Sequence, residues 1–154
     1  MKISLIVYTK DEIDGMKQIM PLIREEWYDQ LLIVDGASKD GTLEYARAQG
    51  YEVCLQKEPC WEGAYREAHR HATGDIVIDF SPDGNSDPSA IPLLAQKIRE
   101  GYDMVIASRY AKGARSEDDS SLTGFGNFLF TTMINVLFRA RYTDTLVIYR
   151  AYRR

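Results

Sequence analysis

The chain is poor in the residues that advertise metal or redox chemistry, with two cysteines and two histidines among 154 residues. Cys54 and Cys60 form no zinc-type spacing and read as ordinary thiols in place of a disulfide or a site. His69 and His71 stand two positions apart on a helical segment, share no face, and so exclude a histidine metal pair. Positive charge is not in excess either. Nineteen Lys and Arg against 23 Asp and Glu leave a net charge of −4, which excludes the basic field of a nucleic-acid binder. No basic-then-apolar leader follows Met1, so the expected location is the cytoplasm. The longest uncharged stretch, Ser120 to Phe138, is interrupted by Asn127, Thr131, Thr132 and Asn135 and is too polar to span a bilayer.

What remains is an ordinary globular composition, 45% hydrophobic and 27% charged, in a chain of single-domain length. A domain of this size buries roughly two thirds of its unfolded surface. Short apolar runs at Ile3–Val7, Leu31–Val34, Tyr51–Leu55, Ile76–Phe80 and Met104–Ala107 predict five buried strands. Between them, helical spacing predicts helices over Asp11–Arg24, Thr42–Gln49, Gly63–Ala72 and Ile91–Glu100, with Gly50, Gly74 and Gly101 as stops. Strands alternating with helices of this length predict an α/β fold, a mostly parallel sheet flanked by helices, as one domain over residues 1–154.

In such a sheet, ligands bind beyond the carboxyl ends of the strands. Four polar segments fall there: Tyr8 to Glu12, Asp35 to Gly41, Ser81 to Asp87, and Ser108-Arg109-Tyr110. The loop Ser81-Pro82-Asp83-Gly84-Asn85 is the most informative. A carboxylate beside Gly and Asn at a strand end suits a hard divalent cation, Mg²⁺ or Mn²⁺, with Asp83 as direct ligand and Asn85 adding a carbonyl oxygen. The same loop also reads as a plain turn. Asp87-Pro88 reads as a cap and the first residue of the following turn. Asp35 ends a buried strand, where a carboxylate can accept hydrogen bonds from a base or ribose, while Asp40-Gly41-Thr42 reads as a helix start.

Three segments carry open alternatives. Phe125 to Phe138 is apolar almost all round a helix, either a core helix or one lying against a membrane or partner. Arg139 to Arg154 holds five arginines and one acid, Asp144, a phosphate-facing edge or a solvated tail. Glu117-Asp118-Asp119 is a solvated loop or a mobile one near an acceptor, and Trp61 reads as a lid or packing residue.

Taken in order, these segments resemble the family 2 glycosyltransferases of the GT-A fold, particularly the polyprenyl-phosphate (dolichol-phosphate) mannose and glucose synthase group. Tyr8-Thr9-Lys10-Asp11-Glu12 stands where that family has Pro-x-Tyr-Asn-Glu, and Asp35 to Thr42 is similar to its Asp-Asp-Gly-Ser-x-Asp-Gly-Thr. Gly63-Ala64 with Ala72-Thr73-Gly74-Asp75 resembles its next helix and stop, and Ser81-Pro82-Asp83-Gly84-Asn85 occupies its Asp-x-Asp-x-Gln position. Ser108-Arg109-Tyr110 and Asp144-Thr145 with Tyr149-Arg150-Ala151-Tyr152-Arg153 resemble its closing motifs.

The resemblance implies transfer of a sugar from a nucleotide-diphosphate sugar to an acceptor such as a polyprenyl phosphate, with inversion and Mg²⁺ or Mn²⁺. Tyr8, Thr9, Glu12, Asp35, Ser38, Gly63, Ser81 and Pro82 are then the expected nucleotide contacts. Asp83, Asn85 and Ser81 are the expected metal ligands, and Asp83, Arg109, Asp144 and Arg150 the catalytic set, with both arginines facing phosphate. A lipid-phosphate acceptor further implies contact with the cytoplasmic face of a membrane.

Four departures qualify this. Ser81 replaces the first carboxylate of the metal motif, Gly36 replaces one of the paired aspartates, Gly124 stands where the group often has an acceptor-side arginine, and Ile148 replaces a glycine. Relatives also continue beyond the Arg150 motif, so a C-terminally shortened domain is expected. Ser81 keeps a second expectation open, a non-catalytic nucleotide-sugar-binding or scaffold domain. A sugar nucleotidyltransferase is disfavoured, since Tyr8 to Glu12 holds no glycine for a phosphate loop.

Overall fold

A computed structural model of the chain describes residues 1–111 and 121–154, so the acidic run at 117–119 lies outside the described residues. Six strands form one sheet in the order β3-β2-β1-β4-β6-β5: β1 (Ile3–Thr9), β2 (Gln30–Asp35), β3 (Glu52–Leu55), β4 (Ile76–Phe80), β5 (Met104–Ile106) and β6 (Arg150–Arg153). β1 runs parallel to β2 and β4, and β2 parallel to β3. Every residue of β1 and β4 is buried, as expected of central strands covered on both faces.

The chain moves from β1 outward through β2 to β3, then returns to lay β4 on the other side of β1. This reversal creates a crevice beyond the carboxyl ends of β1 and β4, the position where open α/β sheets bind ligands. Thr9 and Ser81 stand at its two lips.

Helices α1 (Ile13–Gln18), α2 (Thr42–Ala48), α3 (Cys60–His71) and α4 (Ile91–Arg99) make the crossovers. One core layer joins Leu5, Val7, Ile33, Ile78 and Phe80 to Met16, Ala46, Ile91 and Ile98. The opposite layer sets Ile6, Tyr8, Leu32, Val34 and Val77 against Ala64 and Ala68 of α3. The period-2 alternation of each strand thus feeds two separate cores.

Three expectations need correction. The helix predicted over Asp11–Arg24 ends at Gln18, and two short 3₁₀ turns, Met20–Leu22 and Glu25–Trp27, follow. Pro21 is the cause, because it lacks an N–H and its ring would strike the carbonyl four residues earlier. The C-terminal arginines are not a solvated tail: Arg150–Arg153 is a strand, antiparallel to both β4 and β5. With arginine at both ends it shows no apolar run.

The third concerns α5 (Ser121–Phe138), which is not a core helix. Phe125, Phe128, Leu129, Phe130, Met133, Leu137 and Phe138 are exposed, while Asn127 and Thr131 are buried. The polar side grips the chain that follows. Thr131 and Thr145 hydroxyls lie 2.9 Å apart, and Asn135 donates to the Tyr142 carbonyl and accepts from its N–H, both at 2.8 Å. Asn127, Thr131 and Asn135 thus face the following chain, while Thr123 and Thr132 are exposed along with the phenylalanines.

Candidate functional site

The crevice opens into two cavities. The first, of about 550 Å³, is lined by Tyr8, Thr9 and Lys10 from the end of β1 and by Gly36 and Ala37 after β2. The second, of about 830 Å³, is lined by Asn85 and Ser86 from the acidic loop and by Tyr65, Arg109 and Arg150. Trp61, Asp83 and Ile148 line both, so Asp83 stands where the two meet.

The acidic loop is held from below. Gly84 has φ +85°, a left-handed conformation that glycine adopts without strain, and Asp83 Oδ1 accepts from Asn85 N–H at 2.9 Å. α1 packs directly beneath, so closely that a methyl group on Gly15 would overlap the Pro82 carbonyl. Ser81 is buried and Asp83 exposed. Glu12, just before α1, has its carboxyl pushed up by burial and by the negative charges of Asp83, Asp40 and Asp11. Two carboxylates therefore face the same space. Asp87 caps the next turn as anticipated, accepting from Ser89 N–H at 2.9 Å and Ser89 Oγ at 2.8 Å.

Asp35 is the hub of the opposite wall. Fully buried, it accepts from Thr9 Oγ1 at 2.9 Å, Ser38 Oγ at 2.6 Å and Ser38 N–H at 3.0 Å. Ser38 Oγ in turn accepts from Asp11 N–H, and Asp11 accepts from Lys39 N–H. These bonds tie the loops after β1 and β2 into one unit and present the backbone of Gly36 and Ala37 to the cavity. Gly63 is a packing position, since a side chain there would overlap the Glu58 carbonyl, and it lines neither cavity.

Asp144 is fully buried and holds Arg109 bidentately, with Nε at 2.8 Å and Nη2 at 3.2 Å, and accepts from Arg109 N–H at 3.2 Å. Such a fork fixes the guanidinium plane. Arg150 donates to the carbonyls of Val147 and Ile148 and lies opposite Asp79 in the register of β4 and β6.

Asp79 is the residue sequence reasoning missed. It lies mid-sheet and fully buried, accepts from the Tyr8 hydroxyl at 3.0 Å, and its Oδ2 has no hydrogen-bond partner among the described residues. Burial pushes its carboxyl up to about 7, against the Tyr8 hydroxyl, the Arg150 charge and the nearby Tyr152 hydroxyl. Tyr8 itself is pushed up by burial and by Asp79. The available signal was a carboxylate at a core-facing position of the apolar strand Ile76-Val77-Ile78-Asp79-Phe80.

Above Asp79 the rings of Tyr8, Trp61 and Tyr65 gather. Tyr8 lies 5.8 Å from Trp61 and 5.3 Å from Tyr65, and Trp61 lies 6.3 Å from Tyr65. Away from Asp83, Cys54, Glu67 and His71 also cluster with metal-ligand geometry. Glu67 there already pairs with Arg70 at 2.7 Å and Lys57 at 3.8 Å, so cations of the chain satisfy it.

The family model described as Glycosyl transferase family 2 matches residues 4–154. The chain belongs to glycosyl transferase family 2. Among curated relatives of this family, Glycosyltransferase AglJ of Haloferax volcanii is 28% identical over 153 residues, covering 99% of this chain and 50% of its own length. Dolichol-phosphate mannosyltransferase of Pyrococcus furiosus is 29% identical over 126 residues, 77% of this chain and 36% of that protein. Dolichyl-phosphate hexose transferase of Haloferax volcanii is 34% identical, over 81% of this chain and 54% of that protein. The chain thus spans half or less of the length of the first two of these relatives.

The GT-A fold is shared with glucosyl-3-phosphoglycerate synthase from Mycobacterium tuberculosis, solved with Mn²⁺, UDP and glucosyl-3-phosphoglycerate. That structure superposes with a TM-score of 0.78 at 20% identity, over 99% of this chain and 56% of that one. In this family 2 chain, Ser81 lines the first cavity and Asp83 lines both.

Proposed function

We propose that this chain is the donor-binding part of an inverting glycosyltransferase that moves a sugar from a nucleotide-diphosphate sugar to a polyprenyl phosphate. The observation that carries this is the placement of Asp83 between a cavity suited to a nucleoside and a second cavity carrying Arg109 and Arg150. Thr9, Lys10, Gly36 and Ala37 bind the nucleoside. The diphosphate crosses at Asp83, and the acceptor phosphate approaches from the side of Arg150.

The donor set fits Mg²⁺ or Mn²⁺, since Asp83, Asn85 and Ser81 offer only oxygen and the Glu12 carboxylate adds negative charge at the same place. When bound, the cation offsets the charge that develops on the departing nucleoside diphosphate. The chain's own residues position the reactants. A phosphate monoester oxygen is already anionic near neutral pH, so no strong general base is needed, and catalysis rests on orientation and electrostatics. Asp144 locks the Arg109 fork for that task. The test is sugar transfer, or donor hydrolysis, by the full-length protein with Mg²⁺ or Mn²⁺, native against Asp83→Ala. Unchanged activity in the variant rejects the role of Asp83.

Ser81 in place of a carboxylate favours a second reading, a non-catalytic nucleotide-sugar-binding domain. Tight donor binding without turnover by the full-length protein supports it.

We further propose that α5 seats the protein on a membrane surface. Its phenylalanine face is outward, and Arg139 and Arg141 follow at its end, the combination that binds an anionic interface. No helix among the described residues is long and apolar enough to cross a membrane. A surface-lying α5 brings the cleft to the plane where a lipid phosphate is presented.

A further inference from the structure

Trp61 is 58% exposed, and it lines both cavities. An exposed tryptophan at the mouth of a cleft carries a large apolar surface to water, and here the surrounding fold holds it there. Tyr8 meets it nearly edge-on, with ring planes at 69°, and Tyr65 flanks it at 41°. Tyr8 cannot swing away, because its hydroxyl is bonded to Asp79 at 3.0 Å within the sheet. Cys60, immediately before Trp61, has φ +72°, a left-handed conformation that a non-glycine residue holds only when its surroundings impose it. A buried carboxylate, two supporting rings and a strained backbone thus fix one exposed indole.

Resting on the donor-site reading above, we propose that Trp61 is the platform on which the sugar ring of the donor lies, with Asp79 the positioning residue that fixes Tyr8 beneath it. The order of groups along the cleft carries this. The base and ribose belong at the Thr9, Gly36 and Ala37 end of the first cavity, and the diphosphate at Asp83. The next group of a nucleotide-diphosphate sugar is the sugar, and Trp61 stands at that step beside the second cavity. A pyranose ring has one face made of C–H groups, whose partial positive charge is attracted to the electron-rich face of an indole. A base stacked on Trp61 would instead make the free diphosphate and its hexose derivative depend equally on the indole.

The test compares affinities of the full-length protein, with Mn²⁺, for nucleoside diphosphates (UDP, GDP) and the matching hexose derivatives (UDP-glucose, GDP-mannose). Calorimetry is run on the native protein, Trp61→Ala and Trp61→Phe. Trp61→Ala is expected to weaken the hexose derivative by about tenfold and the free diphosphate by less than about twofold. Trp61→Phe recovers most of the loss. Asp79→Asn weakens the same preference through Tyr8 by a smaller factor. In a Trp27→Phe background, where Trp61 is the remaining tryptophan of this chain, the hexose derivative changes its fluorescence more than the free diphosphate does. Equal weakening of both ligands by Trp61→Ala, or of neither, overturns the platform while leaving the donor site standing. Failure of the native protein to bind any of the four ligands overturns both.

Discussion

Arg109 Nε lies 2.8 Å from Oδ2 of the fully buried Asp144, and Nη2 of the same guanidinium lies 3.2 Å from Oδ1. This pair joins the loop after β5 to the segment between α5 and β6 with side-chain hydrogen bonds. Thr143 adds one, its hydroxyl donating to Ser108 Oγ at 2.7 Å. Removing one partner of a buried ion pair leaves the other without compensation and costs about 3–5 kcal/mol. Asp144→Ala is therefore expected to lower stability by about 3 kcal/mol in chemical denaturation. Arg109→Ala, which leaves a carboxylate buried without its cation, is expected to cost as much.

Asp79 predicts a pH dependence of opposite sign to that of a salt-bridged aspartate. Its folded carboxyl titrates at about 7, well above the ordinary value of 3.8. Between those values the folded state keeps a proton that the unfolded state has lost. Its contribution to stability is therefore full below about pH 4 and is lost as pH rises through about 7. The groups that face it, Tyr8, Tyr65, Tyr152 and Arg150, do not reverse this, since Arg150 supplies the one positive charge among them. Asp79→Asn is expected to flatten the fall in melting temperature between pH 5 and pH 8, two pH settings roughly spanning the upper part of that window. An unchanged slope contradicts the assignment.

Gly15 ties α1 to the loop after β4. A methyl group at that position overlaps the Pro82 carbonyl, so either the helix or the loop must move. Gly15→Ala is expected to lose about 1–3 kcal/mol of stability despite the better helix propensity of alanine. It should also weaken Mn²⁺-dependent nucleotide binding, measured by titration below the melting transition. Stabilisation by alanine would mean that α1 and the loop are not in contact.

The outward phenylalanines of α5 predict binding to anionic vesicles. Phe128→Glu with Phe138→Glu is expected to reduce co-flotation with phosphatidylglycerol vesicles while leaving the melting temperature within a few degrees, because both rings are exposed. Retained flotation would place the membrane contact elsewhere.

Much of this architecture is legible in the chain itself. Ile3–Val7 and Ile76–Phe80 are apolar because they are central parallel strands, and the polar segments after them fall at the crevice for the same topological reason. Asp83 and Asp87, four residues apart in one loop, were separable by chemistry, since proline after Asp87 marks a cap. Other parts depend on tertiary contacts that no local pattern encodes. β6 is a strand only because β4 and β5 offer it edges, and Arg150 and Arg153 mask it. Asp79 is one polar residue in a hydrophobic run, and no local pattern encodes the Tyr8 hydroxyl that reaches it from the neighbouring strand. In α5, apolarity suggested burial, yet Asn127, Thr131 and Asn135 are the residues turned inward, drawn by hydrogen bonds to Tyr142 and Thr145.

The central claim is that Asp83 holds a divalent cation on a nucleoside diphosphate where the two cavities meet. Its most direct test is calorimetric titration of the full-length protein with UDP and GDP, with Mn²⁺ and then with EDTA, for the native protein and Asp83→Asn. The account predicts that native binding depends on the metal and that Asp83→Asn binds with Mn²⁺ no better than the native protein does in EDTA. Metal-dependent binding of undiminished affinity in Asp83→Asn would contradict it.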